Sequence, residues 1–73
     1  LICFSDESFP TIMKDFEKYY GVKIVIENKN VLQINFTGKF RQTDGIDYAL
    51  RILQKNIDFQ YEKDNEKQII YIK

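Results

Sequence analysis

The sequence contains no histidine and no tryptophan, and it has one cysteine, one proline and three glycines in 73 residues. A single cysteine cannot form an internal disulfide, and without histidine or a second cysteine the usual zinc ligand sets cannot be assembled. Three isolated glycines exclude a glycine-rich phosphate-binding loop. Eleven basic and eleven acidic residues cancel, so no overall charge attracts the chain to nucleic acid or to anionic membrane.

The residues that are present describe an ordinary globular chain, with 44% hydrophobic and 30% charged residues. We expect residues 1–73 to form a single domain, because the chain is too short for two. It begins with the apolar run Leu1-Ile2-Cys3-Phe4, without initiator methionine or signal peptide, so we interpret it as a fragment of a longer protein. We expect Cys3 to be buried like a small apolar residue.

The first of two helical segments follows Ser8. Pro10 is tolerated only in the first turn of a helix, Ser8 is a suitable N-cap, and Gly21 provides a left-handed stop at the C-terminus. Apolar residues recur between these signals at spacings of three and four: Phe9, Ile12, Met13, Phe16, Tyr19 and Tyr20. The pattern predicts an amphipathic helix that ends before Gly21.

The second helix is predicted to begin at Thr43 and to end at Asn56, with Asp44 in the first turn, where the helix dipole favours an anion. Asp47 and Arg51 are expected to form an ion pair on its solvent side, because they are four residues apart. Its apolar face consists of Ile46, Ala49, Leu50 and Leu53. These four positions have the offsets 0, 3, 4 and 7, as do Phe9, Ile12, Met13 and Phe16 in the first helix.

The remaining segments alternate between apolar and polar residues with a period of two, which is typical of strands. Strands are predicted at 1–4, 22–27, 34–40, 57–62 and 68–72, with turns at 28–30 and 64–66. The order is β-α-β-β-α-β-β. We therefore expect an α+β fold of two βαβ units plus a terminal strand, with both helices packed against small sheets and the aromatic residues in the core.

The candidates for catalysis are few. Ser8 lies at the predicted start of a helix, where capping explains it, and Asp6 and Glu7 are adjacent acids at the same helix start. Asp64 and Glu66 fall in a turn, where acidic residues are common. We therefore predict no enzymatic activity, no catalytic residues and no metal or cofactor.

Nucleic-acid binding is the alternative function, because β-α-β-β-α-β is also the strand order of ferredoxin-like and RNA-recognition folds. The segment Phe36–Arg41 offers aromatic and basic residues, but it departs from the RNA-recognition signature. Phe36 and Phe40 share the parity of Ile34, so we expect them in the core. The GxxG clamp of KH domains is absent.

A protein-binding module is the third possibility. The terminal strand is apolar on both faces, with Ile69 and Tyr71 opposite to Ile70 and Ile72. Val25 has the outward parity of its own strand and could extend the same patch. We therefore predict Val25, Ile69 and Tyr71 as partner-binding residues. The pattern is equally consistent with cover by a neighbouring strand or a flanking domain.

Several short motifs follow one another in a recognisable order, and together they span nearly the whole chain. They are Phe4-x-Asp6, Tyr20-Gly21-Val22-x-Ile24, Phe36-Thr37-Gly38-x-Phe40, Ile46-x-x-Ala49-Leu50-x-x-Leu53, Phe59-x-Tyr61 and Ile70-x-Ile72. In this order the chain resembles the C-terminal domain of FecR-like anti-sigma factors of the Bacteroidetes type. It departs from that family at Tyr19, where tryptophan is frequent, and at Pro10, where a helix former is usual.

The resemblance implies a periplasmic domain of a single-span inner-membrane regulator. In such a protein a cytoplasmic segment holds an extracytoplasmic-function (ECF) sigma factor, and the periplasmic end receives a signal from the N-terminal domain of a TonB-dependent outer-membrane receptor. The family's C-terminal domain is similar to the secretin and TonB short N-terminal (STN) domain, in which repeated βαβ units pack two helices against small sheets. The resemblance implies a protein partner and supplies no catalytic, cofactor-binding or nucleic-acid-binding residues.

Overall fold

The computed structural model describes residues 1–73 and contains five strands and two helices. In chain order they are β1 (Ile2–Ser8), α1 (Phe9–Tyr20), β2 (Lys23–Ile26), β3 (Asn35–Phe40), α2 (Ile46–Gln54), β4 (Tyr61–Asp64) and β5 (Ile69–Ile72). Short 3₁₀ turns occupy Lys29–Val31 and Gln42–Asp44. The predicted α+β class and the order of elements are confirmed.

The five strands form two separate sheets. β1 pairs antiparallel with β3 in a two-stranded sheet, and the second sheet has the order β2-β5-β4. In this three-stranded sheet β5 is parallel to β2 and antiparallel to β4. Each βαβ unit therefore contributes its first strand to one sheet and its second strand to the other, and β5 lies between the second strands of the two units.

One apolar cluster of 16 buried residues joins both sheets and both helices, and no polar residue is buried in it. The four positions at offsets 0, 3, 4 and 7 are buried in each helix. Phe16 has no exposed surface. Its ring packs edge-on against the rings of Phe4 and Phe40, with centroid separations of 5.8 and 5.3 Å. Leu53 is also fully buried, so the expected burial of both residues is confirmed.

The sequence signals at the ends of α1 are confirmed. The Ser8 hydroxyl oxygen accepts a hydrogen bond from the Thr11 amide at 3.3 Å, and Pro10 lies in the first turn. Gly21 has φ 63° and ψ 39°, the left-handed conformation that ends the helix, and its amide donates to the Glu17 carbonyl at 2.9 Å. The Thr11 amide at the start of α1 and the Glu17 carbonyl near its end therefore both find hydrogen-bond partners directly beside the helix.

The predicted start of α2 at Thr43 is wrong. Gly45 has φ 88° and ψ 163°, a conformation far from helical, so it separates the 3₁₀ turn Gln42–Asp44 from the helix that starts at Ile46. The acidic residue predicted for the first helical turn therefore lies in the 3₁₀ turn. The helix ends at Gln54, two residues earlier than predicted.

The last strand of the second unit is shorter than its alternating pattern indicates. Ile57 and Phe59 are buried as the alternation predicts, but the strand begins only at Tyr61. The Gln54 side-chain amide donates to the Phe59 carbonyl at 3.1 Å, and the Phe59 ring meets that of Phe9 edge-on at 5.3 Å. Side-chain contacts to both helices therefore hold Ile57 to Phe59 ahead of the strand, and Gln60 exchanges two backbone hydrogen bonds with Lys73.

Candidate protein-binding site

The three residues predicted to bind a partner lie together on the outer face of the three-stranded sheet. The strand register places Val25 directly opposite Tyr71. Ile69 follows on the same face of β5, two residues before Tyr71, because side chains alternate along a strand. We call Val25, Ile69 and Tyr71 the apolar triplet. The structure brings its members together, and their role in binding stays a prediction.

The two faces of β5 differ in how completely they are covered. Ile70 and Ile72 point into the core and expose 1% and 0% of their surface. Ile69 and Tyr71, on the other face, are half-buried, and so is Val25. The terminal strand is therefore covered by its own chain on the inner face and only in part on the outer face.

Charged residues surround the apolar triplet. On the β4 side, Glu62 is opposite Tyr71 and Asp64 is opposite Ile69, while Lys23 lies beside Ile69 on the β2 side. The Lys73 ammonium contacts the Glu62 carboxylate at 2.8 Å, and this hydrogen bond raises the pKa of Lys73. A depression of about 410 Å³ beside Tyr71 is lined by that tyrosine and residues 62–66. An apolar centre with a charged border is typical of protein interfaces.

The inner face of β4 carries a second polar cluster, which connects the strand to α2. The Asp47 carboxylate accepts hydrogen bonds from the Lys63 ammonium at 2.9 Å and from the Tyr61 hydroxyl at 3.2 Å. The bond from Lys63 is the main reason that the pKa of Asp47 is lowered, while burial and the nearby Asp47 charge raise the pKa of Tyr61. The predicted ion pair of Asp47 with Arg51 is replaced by the one with Lys63, which lies closer.

The polar residues at the start of α1 have structural partners. The Ser8 hydroxyl donates to the Thr11 hydroxyl at 2.9 Å in addition to capping the helix. The Asp6 carboxylate accepts from the Asn35 side-chain amide at 3.1 Å. In the β4–β5 turn, the Asp64 carboxylate accepts from the Lys67 amide at 3.2 Å. The contacts of Ser8 and Asp64 agree with the capping and turn roles that the sequence predicts, whereas Asp6 lies within β1 and not at the helix start.

The expected burial of Cys3 is wrong, because the side chain is exposed. Its neighbours Ile2 and Phe4 are buried, and alternation along β1 therefore directs Cys3 to solvent.

The structure contains no group of three or more Cys, Asp or Glu side chains arranged to hold a metal ion. Neither helix has the length and apolar character needed to cross a bilayer.

Of the two phenylalanines considered for base stacking, Phe40 belongs to the core as predicted, whereas Phe36 only packs against the core. Phe40 exposes 3% of its surface, and Phe36 is half-buried against the core cluster. Their ring centroids are 5.9 Å apart. The residue between them has to be small, because the Phe36 ring covers the α-carbon of Gly38. A β-carbon at this position would approach the ring to 2.5 Å.

Sequence reasoning missed three acidic residues that border or contact the three-stranded sheet. Glu62 and Asp64 form its acidic border, and the alternation of Tyr61, Glu62, Lys63 and Asp64 would have placed them on the outer face. Glu17 was also missed: its carboxylate accepts a hydrogen bond from the Ile24 amide at 2.7 Å, on the free edge of β2. No local pattern signals this contact, since it joins a helix to the strand that follows it.

The comparisons with known proteins gave one match. The model of a protein family described as "FecR, C-terminal" matches residues 1–71. No curated protein matches the chain. No solved structure matches it either.

Proposed function

The chain belongs to the FecR C-terminal family of regulatory signalling domains, and from this premise we propose that it is the periplasmic, non-catalytic protein-interaction domain of a membrane-anchored anti-sigma factor. Residues 1–73 form one domain of that longer protein. The domain receives the state of a TonB-dependent outer-membrane receptor by binding its N-terminal signalling domain. It relays that state to an ECF sigma factor, which the cytoplasmic part of the protein binds.

The observation that supports this proposal is the family match over 71 of 73 residues, combined with the apolar triplet on the outer sheet face. Val25 and Tyr71 are adjacent on neighbouring strands, and Ile69 extends the patch along β5. A partner that covers this patch removes apolar surface from water, which is the main favourable term in protein association. The charged residues around it supply specificity and orientation rather than most of the affinity.

Tyr71 is the best single residue for a test. It lies at the centre of the outer face, between Val25 on β2 and Glu62 on β4. Buried aromatic residues near the centre of an interface often dominate the binding energy. A carboxylate in the same place would have to lose its water on binding without gaining a partner, and it would lie beside Glu62.

We predict that Tyr71→Glu abolishes binding to the cognate receptor's N-terminal signalling domain and leaves the isolated domain folded. The measurement is a calorimetric titration of both variants, with circular dichroism spectra to verify the fold. Tyr48→Glu is the matched control, because Tyr48 is a 49%-exposed tyrosine on α2 and lies outside the apolar triplet. The control should bind like the wild type.

Two results would contradict the proposal. Undiminished binding by a folded Tyr71→Glu variant would exclude the apolar triplet as the docking surface. Tight, salt-sensitive binding of single-stranded RNA by the wild-type domain would favour the alternative class of nucleic-acid-binding domains, because salt sensitivity reports phosphate contacts.

A further inference from the structure

Four of the five strands lie at the edge of a sheet, and each edge presents backbone groups without a strand partner. These strands are β1, β2, β3 and β4. An open edge is a template for pairing with another chain, and proteins commonly block such edges with charges, bulges, caps or short strands. Only β5 has a neighbour on both sides.

Both edges of the three-stranded sheet are blocked. At the start of β2 and just after its end, the Lys23 and Glu27 amides donate to the carbonyls of Gln68 and Ile72. By alternation Ile24 directs its amide to the free edge, where it donates to the Glu17 carboxylate at 2.7 Å. β4 is only four residues long, and its Lys63 points to the inner face, where it pairs with Asp47. An inward-pointing charge on a short edge strand is a known protection against added strands.

The β1 edge is also irregular. Its register with β3 shifts between Phe4 and Glu7, because β1 has one residue more than its partner over this stretch. Within the resulting bulge, Asp6 has φ 51°, and its amide donates to the Thr37 hydroxyl oxygen at 2.8 Å. A bulge bends the strand and interrupts its pairing pattern, so a regular partner strand cannot follow it.

β3 is the one edge without such a block. It runs for six residues and takes part in the β1 bulge only as the regular partner. The Phe9 amide donates to the Ile34 carbonyl at 2.8 Å, so the residue before β3 faces β1. By alternation, Asn35, Thr37 and Lys39 direct their amides and carbonyls away from β1, toward solvent.

We propose that two copies of this chain associate by antiparallel pairing of their β3 strands, centred on Thr37, to form a continuous four-stranded sheet. This register pairs Thr37 with Thr37 of the second copy, and Asn35 with Lys39 of the second copy. All three outward-facing residues of each strand then find partners, which gives six backbone hydrogen bonds for three residue pairs. A centre elsewhere in the strand uses fewer of them.

The side chains of β3 are compatible with this self-pairing. Threonine opposite threonine is a favourable cross-strand pair. Lys39 faces Asn35 of the second copy, whose amide already contacts the Asp6 carboxylate, so each ammonium lies near an opposite charge. On the core side, the half-buried Phe36 comes opposite Gly38 of the second copy, and pairing covers part of its exposed ring. Antiparallel self-pairing of β4 centred on Lys63 would instead place Glu62 opposite Asp64 of the second copy and Lys63 opposite Lys63 of the second copy. Like charges directly opposite each other are destabilising.

The proposal predicts a dimer whose strength depends on charge at two positions. Sedimentation equilibrium of the wild-type chain should show a monomer–dimer equilibrium at concentrations up to about 1 mM, the range in which weak association is measurable. Asn35→Lys places two lysines opposite each other at two symmetric sites and should weaken the dimer about tenfold. Lys39→Glu should weaken it as well, because the new carboxylate faces Asp6 of the second copy.

The double variant Asn35→Lys/Lys39→Glu is the critical control. It places the new lysine opposite the new glutamate of the second copy, so dimerisation should recover to at least the wild-type level. Recovery requires that residues 35 and 39 face each other, and no general effect on folding or net charge reproduces it. A wild-type chain that stays monomeric throughout, or a double variant as weak as the single ones, overturns the proposal.

A cross-link tests the register independently. In a Cys3→Ser background, Thr37→Cys should form a disulfide-linked dimer, because directly opposite residues in a hydrogen-bonded antiparallel pair have α-carbons about 5.5 Å apart, within disulfide range. Glu62→Cys on β4 is the matched control and should stay monomeric. Equal cross-linking of both variants would show random collision and would contradict pairing through β3.

Discussion

The two βαβ units bury the same four helix positions but hold their helices in different ways. α1 has twelve residues, a serine N-cap and a left-handed glycine at its C-terminus. α2 has nine residues, and no side chain caps its N-terminus. Its first turn is instead connected to β4 by the Asp47 carboxylate, which accepts from Tyr61 and Lys63. The first helix is thus specified by its own ends, and the second by its neighbours.

The comparison separates two roles that a repeated sequence pattern can play. The shared offsets determine which face of each helix enters the core, and that face is buried in both units. The offsets do not determine where a helix begins, because this depends on caps and on backbone conformation at single residues. The units therefore agree in their packing and differ in their boundaries.

The largest effect should come from the equivalent core positions Phe16 and Leu53. We expect Phe16→Ala to lower the free energy of unfolding by about 4 kcal/mol and Leu53→Ala by about 3 kcal/mol, from lost burial and the cavity left behind. A core of this size supplies about 3–5 kcal/mol in total, so Phe16→Ala should be largely unfolded. Urea denaturation measures Leu53→Ala, and circular dichroism without urea measures the folded fraction of Phe16→Ala. Tyr19→Ala is the control for both, because Tyr19 is 43% exposed. A Leu53 variant as stable as the control would show that the second helix does not anchor the core.

The next largest effect should be a difference in stability cost between substitutions of Gly45, before α2, and Gly21, after α1. Gly45, at φ 88° and ψ 163°, occupies a region that is almost restricted to glycine, so Gly45→Ala should cost about 2–3 kcal/mol. Gly21 is in the ordinary left-handed region, and Gly21→Ala should cost about 1 kcal/mol. Neither β-carbon would meet another atom within 4 Å, so the backbone alone decides the difference. Thermal melts of the two variants measure it, and the reverse order would contradict this account of the α2 boundary.

The smallest effect should be the pH dependence of the contact between Asp47 and Lys63. Folding lowers the pKa of Asp47 below its ordinary value of 3.8, so the contact stabilises the fold above that pH. This stability is lost as the pH falls through the folded-state pKa. Because the carboxylate is 42% exposed, water screens the pair, and Asp47→Asn should cost only a few tenths of a kcal/mol at neutral pH.

Urea midpoints between about pH 2 and 7 test this dependence, since that range spans the titration of carboxylates. The Asn variant should lose part of the acid-induced destabilisation that the wild type shows. Asp58→Asn is a suitable control, because Asp58 is exposed and its side chain makes no hydrogen bond or ion pair in the structure. Identical pH profiles for the Asp47 and Asp58 variants would show that the contact with β4 contributes nothing to holding α2.

The features of the first unit that the sequence predicts correctly are local ones. Ser8, Pro10 and Gly21 act within a few residues of themselves, so their roles can be recognised without knowing the fold. The start of α2 could not be recognised in this way. Gly45 breaks the helix by adopting a conformation that other residues avoid, and nothing in the neighbouring sequence distinguishes it from a glycine tolerated inside a helix.

The residues of the candidate site could be predicted from the sequence, but their neighbours on the adjacent strands could not. Alternation in residues 68–72 places Ile69 and Tyr71 on one face, and the structure agrees. That Val25 is the cross-strand neighbour of Tyr71 depends on pairing between segments more than forty residues apart, which no local pattern encodes. The same holds for the cap on Ile24 by Glu17 and for the acidic border formed by β4.

The central position of β5 has a consequence for how quickly the chain can fold. β2 makes its strand hydrogen bonds with β5 and none with β4, so the three-stranded sheet cannot begin to form from the first unit alone. It needs residues 69–72, and the β4–β5 hairpin is the only part of it that closes over a short loop. Contacts between distant segments slow the search for the native state. Because β2 can pair only when β5 is in place, we expect the two units to fold together in a single kinetic event.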